Sequence, residues 1–220
     1  MYINTTLVSK YFTEFKKHCS IWNTANDELY GLCKKFPDHH DLEQVVTKLW
    51  MIGRTYAAAL ERRRGAVVST DELYTQVANT LITQLDAPLQ ALASKKQLSA
   101  DNFAEMLELH KHLTEWFKVS KETTFPVKRS LASKYLHFHL PTFFPVYDAN
   151  AAGAISRLVS TKNHNGYKHV DVTKYIVTNN TRYCDDEYRN FCLKVLALQH
   201  HLGNHHLKET DDFLLFCANQ

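Results

Sequence analysis

Glycine and proline are scarce in this chain, which has six of the one and five of the other among 220 residues. A β-sandwich with many tight turns needs more of both, so their scarcity favours a helical protein. Cysteine is also sparse: the five cysteines stand at positions 19, 33, 184, 192 and 217, with no Cys-x-x-Cys pair. This odd, scattered set argues against a disulfide framework or a structural zinc site, and it fits a reducing cytoplasm.

Long apolar runs and a strong charge of one sign are missing as well. No stretch approaches the roughly 18 uninterrupted apolar residues of a membrane span, and the first residues lack the pattern of a signal peptide. We therefore expect a cytoplasmic protein with no membrane partner. The formal net charge is only +3, so affinity for a nucleic acid has to come from local clustering of basic residues.

What the sequence does have is helical periodicity from end to end. Apolar residues recur every three or four positions, and 45% of the residues are hydrophobic, enough to bury a core. The pattern predicts an all-α fold in one domain over 1–220, with one half over about 1–98 and a second over about 99–220. The predicted helices include 41–64, 71–85, 130–140, 149–160, 183–202 and 209–216, and one short strand is predicted within 172–180.

The segment 130–148 combines a lysine, two histidines, two prolines and an aspartate in a short space. On its predicted helix the apolar residues fall on one broad side, and Ser133, Lys134 and His137 fall on the other. Proline ends that helix, and Asp148 stands at the N-cap of the next, where its carboxylate accepts backbone N–H bonds. The pattern also has a purely structural interpretation, in which Lys134 is a solvated lysine, Asp148 is a helix cap and the aromatic residues belong to the core.

The order of these features also resembles a known catalytic segment. A lysine-bearing helix, a turn, "FPVYD" and a helix opened by that aspartate are similar to the active site of the helix-hairpin-helix DNA glycosylase superfamily. The closer similarity is to a branch of short bacterial proteins described as 8-oxoguanine-glycosylase-like, with the pattern S-K-x-L-H-F-x-x-P-x-x-F-P-(I/V)-(Y/W)-D. The matching residues are Ser133, Lys134, Leu136, His137, Phe138, Pro141, Phe144, Pro145, Val146, Tyr147 and Asp148. A second stretch, "IGRTYAAALERRR", looks like an N-terminal motif of the same branch.

The resemblance implies a helix-hairpin-helix fold and a cofactor-free, monomeric enzyme that acts on DNA. Lys134 would be the nucleophile, and Asp148 would stabilise the oxocarbenium-like sugar. The flipped base would lie in a pocket lined by some of Tyr135, Phe138, Phe144 and Tyr147. Two features depart from the superfamily: "PVKRSLAS" replaces the usual Leu-Pro-Gly-Val-Gly hairpin, and only 14 positions separate the lysine from the aspartate.

Basic residues gather beside this segment. Residues 118–134 carry a local net charge of +4, more than the whole chain, and phosphate neutralisation calls for such clustering. A solvated basic loop explains the same charges. The predicted DNA contacts are Lys118, Lys121, Lys128, Arg129, Ser133 and His137. The "ERRR" run at 61–64 is interpreted as a helix C-terminus that complements the helix dipole.

The function predicted from these features is excision of a damaged or modified base from DNA, with or without strand cleavage, in repair or in defence against foreign DNA. A non-catalytic module that binds nucleic acid or a partner is the main alternative, and the missing glycine hairpin favours it. The histidine-rich "HHLGNHH" at 200–206 raises a third possibility, a metal-dependent hydrolase. Gly203 and Asn204 indicate that the helix ends there and no carboxylate or cysteine lies alongside, so no metal site is predicted.

Overall fold

The computed structural model describes residues 1–18, 23–62, 68–118, 127–176, 183–203 and 205–220. Within those ranges the chain is mostly helical, which confirms the prediction at the level of fold class. The described ranges contain ten helices, which in chain order are α1 (Thr5–Phe15), α2 (Asn23–Lys35), α3 (Leu42–Thr55), α4 (Thr70–Gln84), α5 (Asp86–Ala93), α6 (Phe103–Trp116), α7 (Arg129–His139), α8 (Ala149–Leu158), α9 (Asp186–His201) and α10 (Leu207–Ala218). None of the helices in the described ranges combines the length and apolar composition needed to cross a bilayer.

The structure also contains a small antiparallel sheet, which the all-α prediction did not include. Its strands are β1 (Tyr2–Asn4), β2 (Val159–Ser160) and β3 (Tyr167–His169), in the order β2-β1-β3. Segments of two or three residues are too short to show a period-2 pattern, so these strands could not be predicted from the sequence. The strand predicted within 172–180 is wrong where the chain is described, because Thr173–Tyr175 is a 3₁₀ turn; residues 177–180 lie outside the described ranges.

One hydrophobic core runs through the molecule and takes residues from both predicted halves. Helix α3 begins where the sequence predicts, since the Asp41 carboxylate accepts the backbone N–H of Gln44 at 2.9 Å. Helix α7 packs against α2, α3 and α6, and α8 packs against α9 and α10. Residues 131–138 of α7 are all buried, including its polar side chains, so this helix runs through the interior.

Helix α3 ends nine residues earlier than the predicted 41–64. The end is a Schellman motif: Ala58 N–H bonds to Gly53 O at 2.8 Å, and Ala57 N–H bonds to Arg54 O at 3.2 Å. Ala57 takes the left-handed position of the motif, with φ +51°. Glycine usually marks that position, so its absence hid the helix end in the sequence. A Cβ at Gly53 would lie 3.0 Å from the Ala59 Cα, so this glycine lets the turn pack tightly onto α3.

A buried polar cluster joins α3 to α7. Lys48, which is 0% exposed, donates to two backbone carbonyls of the loop 36–38 at 2.9 and 3.1 Å, and its Nζ lies 3.2 Å from His139 Nε2. His39 bridges the Asp86 carboxylate at 2.6 Å and the Tyr135 hydroxyl at 2.9 Å. We call these five residues the sealed cluster. Burial lowers the pKa of Lys48 to about 8 and that of His39 to about 4.

Candidate active site

The segment singled out in the sequence folds as a helix, a bend and the start of a second helix. Helix α7 covers the predicted 130–140 to within a residue, and α8 begins directly after Asp148. The N-cap prediction is confirmed: Asp148 has extended backbone angles, and its Oδ1 accepts the Ala151 N–H at 2.8 Å. One oxygen of this carboxylate is therefore fixed by the helix it caps, and the other points elsewhere.

The second oxygen, Oδ2, contacts Lys134. Lys134 Nζ lies 3.1 Å from Asp148 Oδ2 and 3.1 Å from Ser130 Oγ, one helical turn earlier on α7. The lysine side chain is only 2% exposed, whereas the aspartate side chain is 23% exposed. Burial lowers the pKa of Lys134, and the neighbouring Asp148 carboxylate acts in the opposite sense. We call Lys134 and Asp148 the cleft pair.

Ser133 fixes the distance between the two partners. The Tyr147 N–H donates to Ser133 Oγ at 3.0 Å, and the hydroxyl lies 3.1 Å from Ser130 O and 3.3 Å from Tyr147 O. Ser133 is fully buried, so the structure does not place it at the surface where its DNA contact was predicted. Its side chain instead holds the residue before Asp148 against the helix that carries Lys134.

The cleft pair lines a cleft of about 460 Å³. Exposed residues, among them Val127 and Asn150, belong to its lining, so the cleft opens to solvent. The opposite wall is the turn after α3. The described lining consists of Tyr56, Ala57, Ala58, Ala59, Arg62, Val127, Lys128, Ser130, Leu131, Lys134, Asp148, Ala149 and Asn150.

Tyr56 is the aromatic residue of that lining. Its hydroxyl donates to Asn26 Oδ1, and its ring centroid lies 5.1 Å from Lys134 Nζ. The periodicity of residues 41–64 had placed Tyr56 on the apolar stripe of a continuous helix, so its position in the site was missed. The only signal was the resemblance of "IGRTYAAALERRR" to a motif of the glycosylase-like branch.

The four aromatic residues predicted for a base pocket do not line this cleft. Tyr135 belongs to the sealed cluster, and Phe144 is 0% exposed in the core. Phe138 packs behind Tyr56, with ring centroids 5.7 Å apart. Tyr147 faces a smaller hollow of about 210 Å³ between α8 and α9. Because α7 is buried on every side, sequence spacing could not separate residues that face the core from those that face the cleft.

The predicted basic contacts are mostly engaged inside the protein. Arg129 forms ion pairs with Asp185 at 2.9 Å and with Glu187 at 2.8 Å. Lys118 pairs with Glu115 at 2.7 Å, and Lys128 is buried and donates to the carbonyls of Ala59 and Arg62. Lys121 lies outside the described residues. The local charge of +4 is thus partly neutralised by acidic residues that are distant in sequence.

His137 is also placed differently from the prediction, which put it on a polar surface. It is 2% exposed; its Nε2 lies 2.6 Å from the Tyr30 hydroxyl and its Nδ1 lies 2.7 Å from Phe144 O. Burial lowers its pKa to about 4. A neutral imidazole with both nitrogens bonded internally has no free donor for a phosphate, so the structure does not place His137 at the surface where its DNA contact was predicted.

The interpretation of the "ERRR" run as a helix C-terminus is wrong for Glu61 and Arg62, the two residues of the run that the structure describes. Helix α3 ends at Thr55, so Arg62 is not at a helix C-terminus. It is exposed on the rim of the cleft and donates to Ala57 O. Arg63 and Arg64 lie outside the described residues.

Two groups of side chains bear on metal binding. In the histidine-rich stretch, His205 Nδ1 lies 2.7 Å from Glu209 on α10, and Asn204 is outside the described residues. Elsewhere, ligand atoms of Asp38, His40 and Asp86 lie within 4.8 Å of one another. Asp86 is already engaged with His39, and neither group lies in the lining of the cleft.

Comparison with known proteins does not assign this chain to a family. No family model matches the chain, no curated protein matches it, and no solved structure matches it. The resemblance of residues 133–148 to the glycosylase segment therefore stays a prediction.

Proposed function

We propose that this protein is a DNA glycosylase that excises a damaged or modified base, with Lys134 as nucleophile and Asp148 as the stabilising carboxylate. The observation that supports it best is the 3.1 Å approach of Lys134 Nζ to Asp148 Oδ2 at the floor of a cleft open to solvent. A buried amine beside a carboxylate in a cleft is a recognisable catalytic arrangement. It agrees with the roles that the sequence resemblance gives to the same two residues.

Asp148 suits the stabilisation of a cationic sugar. When the bond between the sugar and the base breaks, positive charge develops on C1′ and O4′ of the sugar. A carboxylate that is already oriented by the Ala151 N–H needs little rearrangement to face that charge. Ser133, through its bond to Tyr147, keeps the carboxylate at a fixed distance from α7.

Lys134 has to be neutral before it attacks, and its burial favours the neutral amine. The ammonium proton passes to solvent in the open cleft, so Asp148 stays a carboxylate, and the amine lone pair forms a bond to C1′ while the C1′–base bond breaks. The departing base keeps the electron pair and takes a proton from solvent. A second proton then moves from nitrogen to O4′, the C1′–O4′ bond opens, and a protonated imine joins Lys134 to the sugar. Elimination at C2′ and C3′ from this imine would cleave the strand.

The substrate in this proposal is a nucleotide turned out of the DNA stack, because a base inside a duplex cannot reach the floor of a cleft. Arg62 on the rim is a cation placed to approach the DNA backbone. The protein would act as a monomer, without a cofactor, in repair or in defence against foreign modified DNA.

Borohydride trapping on duplex DNA with a single abasic site tests the lysine directly. The hydride reduces the imine to a stable amine, so the wild type is expected to form a covalent adduct. Lys134→Ala should form none. Lys95→Ala removes an exposed lysine that pairs with Glu105 outside the cleft, and it should trap as much DNA as the wild type. An adduct that persists in Lys134→Ala would remove the assigned nucleophile.

A second candidate function is a non-catalytic module that binds nucleic acid or a protein partner. The low exposure of Lys134 and the glycine-poor segment before α7 favour it. Mass spectrometry of free bases released from a panel of damaged and modified DNAs separates the two. Base release that Asp148→Asn abolishes supports the glycosylase even without an adduct. Tight DNA binding with neither release nor adduct supports the module.

A further inference from the structure

The side chain of Tyr56 borders the cleft. It is half-buried, and among the described lining residues it is the aromatic one. Enzymes that act on an extruded base hold that base against aromatic or apolar side chains. None of the four aromatic residues that the sequence suggested for the base pocket lines the cleft. The residue that would hold the base therefore has to be another one.

Neighbouring residues hold the ring in place from two directions. Asn26 accepts the hydroxyl at one end, and Phe138 packs against the ring at a centroid distance of 5.7 Å. Since these partners come from α2 and α7, the orientation of the ring is fixed by the fold before a ligand arrives. A fixed ring loses little conformational freedom when a planar ligand packs on it.

The residues around the ring leave space beside it. Ala57, Ala58 and Ala59 follow Tyr56 in the turn, and their small side chains form the same wall of the cleft. Val127 also belongs to the lining and is 46% exposed, a large exposure for an apolar side chain. A planar ligand in the cleft would cover both the ring and the valine.

Resting on the proposed glycosylase function, we infer that Tyr56 is the residue on which the extruded base stacks. Lys134 Nζ lies over the ring, 5.1 Å from its centroid, so a base would stack on the part of the ring beside the amine and hold its sugar near that amine. The protein would then recognise the base itself as well as the sugar and phosphates. Stacking on an aromatic ring tolerates many bases, because every base has a π face. Discrimination among bases would come from the shape of the alanine-lined wall.

The test compares the dissociation constants of two duplexes that differ at one nucleotide. One carries a bulged adenine, and the other carries a tetrahydrofuran abasic analogue at the same place. The wild type is expected to prefer the adenine duplex by about 10-fold, the size of one base–aromatic stack. Tyr56→Leu should bring that ratio close to one, and Tyr56→Phe, which keeps the ring, should preserve it.

Two further variants check that the ratio depends on the space beside Tyr56. Trp50→Leu removes an exposed aromatic ring outside the cleft and should leave the ratio unchanged. Ala58→Leu fills the space beside Tyr56 without changing the ring, and it should lower the ratio even if Tyr56→Leu does not fold.

The outcomes distinguish this inference from the proposed function. A wild-type ratio near one, or equal weakening of both duplexes in Tyr56→Leu, would overturn the stacking role while leaving the lysine chemistry intact. A wild type that binds neither duplex and forms no borohydride adduct would overturn the glycosylase proposal itself.

Discussion

Lys48 and Lys134 are the two least exposed lysines among the described residues, and their surroundings differ. Lys48 is 0% exposed, and its amine bonds to backbone carbonyls and approaches two imidazoles in the sealed cluster. Lys134 is 2% exposed, and its amine meets two side-chain oxygens at the floor of a cleft. Burial lowers the pKa of both.

A buried amine with a lowered pKa therefore does not by itself mark a catalytic site. The partners of Lys48 hold the loop 36–39 onto α3, so that amine is a part of the fold. The partner of Lys134 has a second bond of its own, from the Ala151 N–H, and remains anchored if the pair opens. Access from the cleft and a carboxylate fixed independently of the lysine are what distinguish the cleft pair.

Acid should protonate buried imidazoles, including His39 of the sealed cluster, and give the largest effect. The folded-state pKa is about 4 for His39 and His137 and about 3 for His110, all below the ordinary value near 6.5. The unfolded chain therefore binds more protons between pH 6.5 and 4, and stability is lost as the pH falls through that window. Each imidazole contributes a loss of about 3 kcal/mol by pH 4.

The buried Asp211 carboxyl works against this loss, because burial raises its pKa well above the usual range. Urea unfolding between pH 7 and 4 measures the balance, and we expect a net fall in the free energy of unfolding. A curve that is flat or rises toward pH 4 would show that these imidazoles do not remain neutral in the folded protein.

Removing each lysine in turn should separate a structural amine from a functional one. Lys48→Met removes a fully buried amine and the donor of two loop carbonyls, and we expect a loss of about 3 kcal/mol in the free energy of unfolding. Lys134→Met leaves Asp148 with its Ala151 bond and with access to solvent, so a loss of about 1 kcal/mol is expected. Urea unfolding at neutral pH checks both, and equal losses would contradict the distinction.

The carboxylate of the cleft pair should control when Lys134 reacts. Because Asp148 opposes the effect of burial on the pKa of Lys134, Asp148→Asn should lower that pKa further. Asparagine still caps α8, so the fold is kept. The pH profile of borohydride trapping on abasic DNA is expected to move to lower pH in this variant.

Ser130→Ala is the matched control for that shift, since it removes a neutral partner of the same amine. It should move the profile much less. A profile that moves to higher pH in Asp148→Asn would mean that the carboxylate does not act on this lysine.

The smallest expected effect concerns the turn that forms the wall of the cleft. Ala57 holds a left-handed conformation at φ +51°, which glycine adopts without strain. Ala57→Gly should raise the free energy of unfolding by about 0.5 to 1 kcal/mol. Ala58→Gly, at the next position of the turn, should bring no gain. A less stable Ala57→Gly protein would show that the Schellman turn is not the strained element.

Part of the candidate site was predictable because its determinants are local. An aspartate before an alanine-rich helix and a proline after an aromatic helix set the ends of α8 and α7 within a few residues. The end of α3 was not predictable, because Ala57 occupies the left-handed position where a glycine would have indicated the turn. Tyr56 enters the cleft only because of that turn.

Local sequence signals were enough to show that the chain is helical, where α7 ends and α8 begins, and that a lysine and a capping aspartate flank that bend. Which of the neighbouring side chains are available depends on how the helices pack. Ser133 and His137 became buried because α7 packs on several helices at once, and Arg129 is neutralised by Asp185, 56 positions away. Local signals act over one or two helical turns, whereas burial and charge pairing depend on residues that the fold brings together from distant parts of the chain.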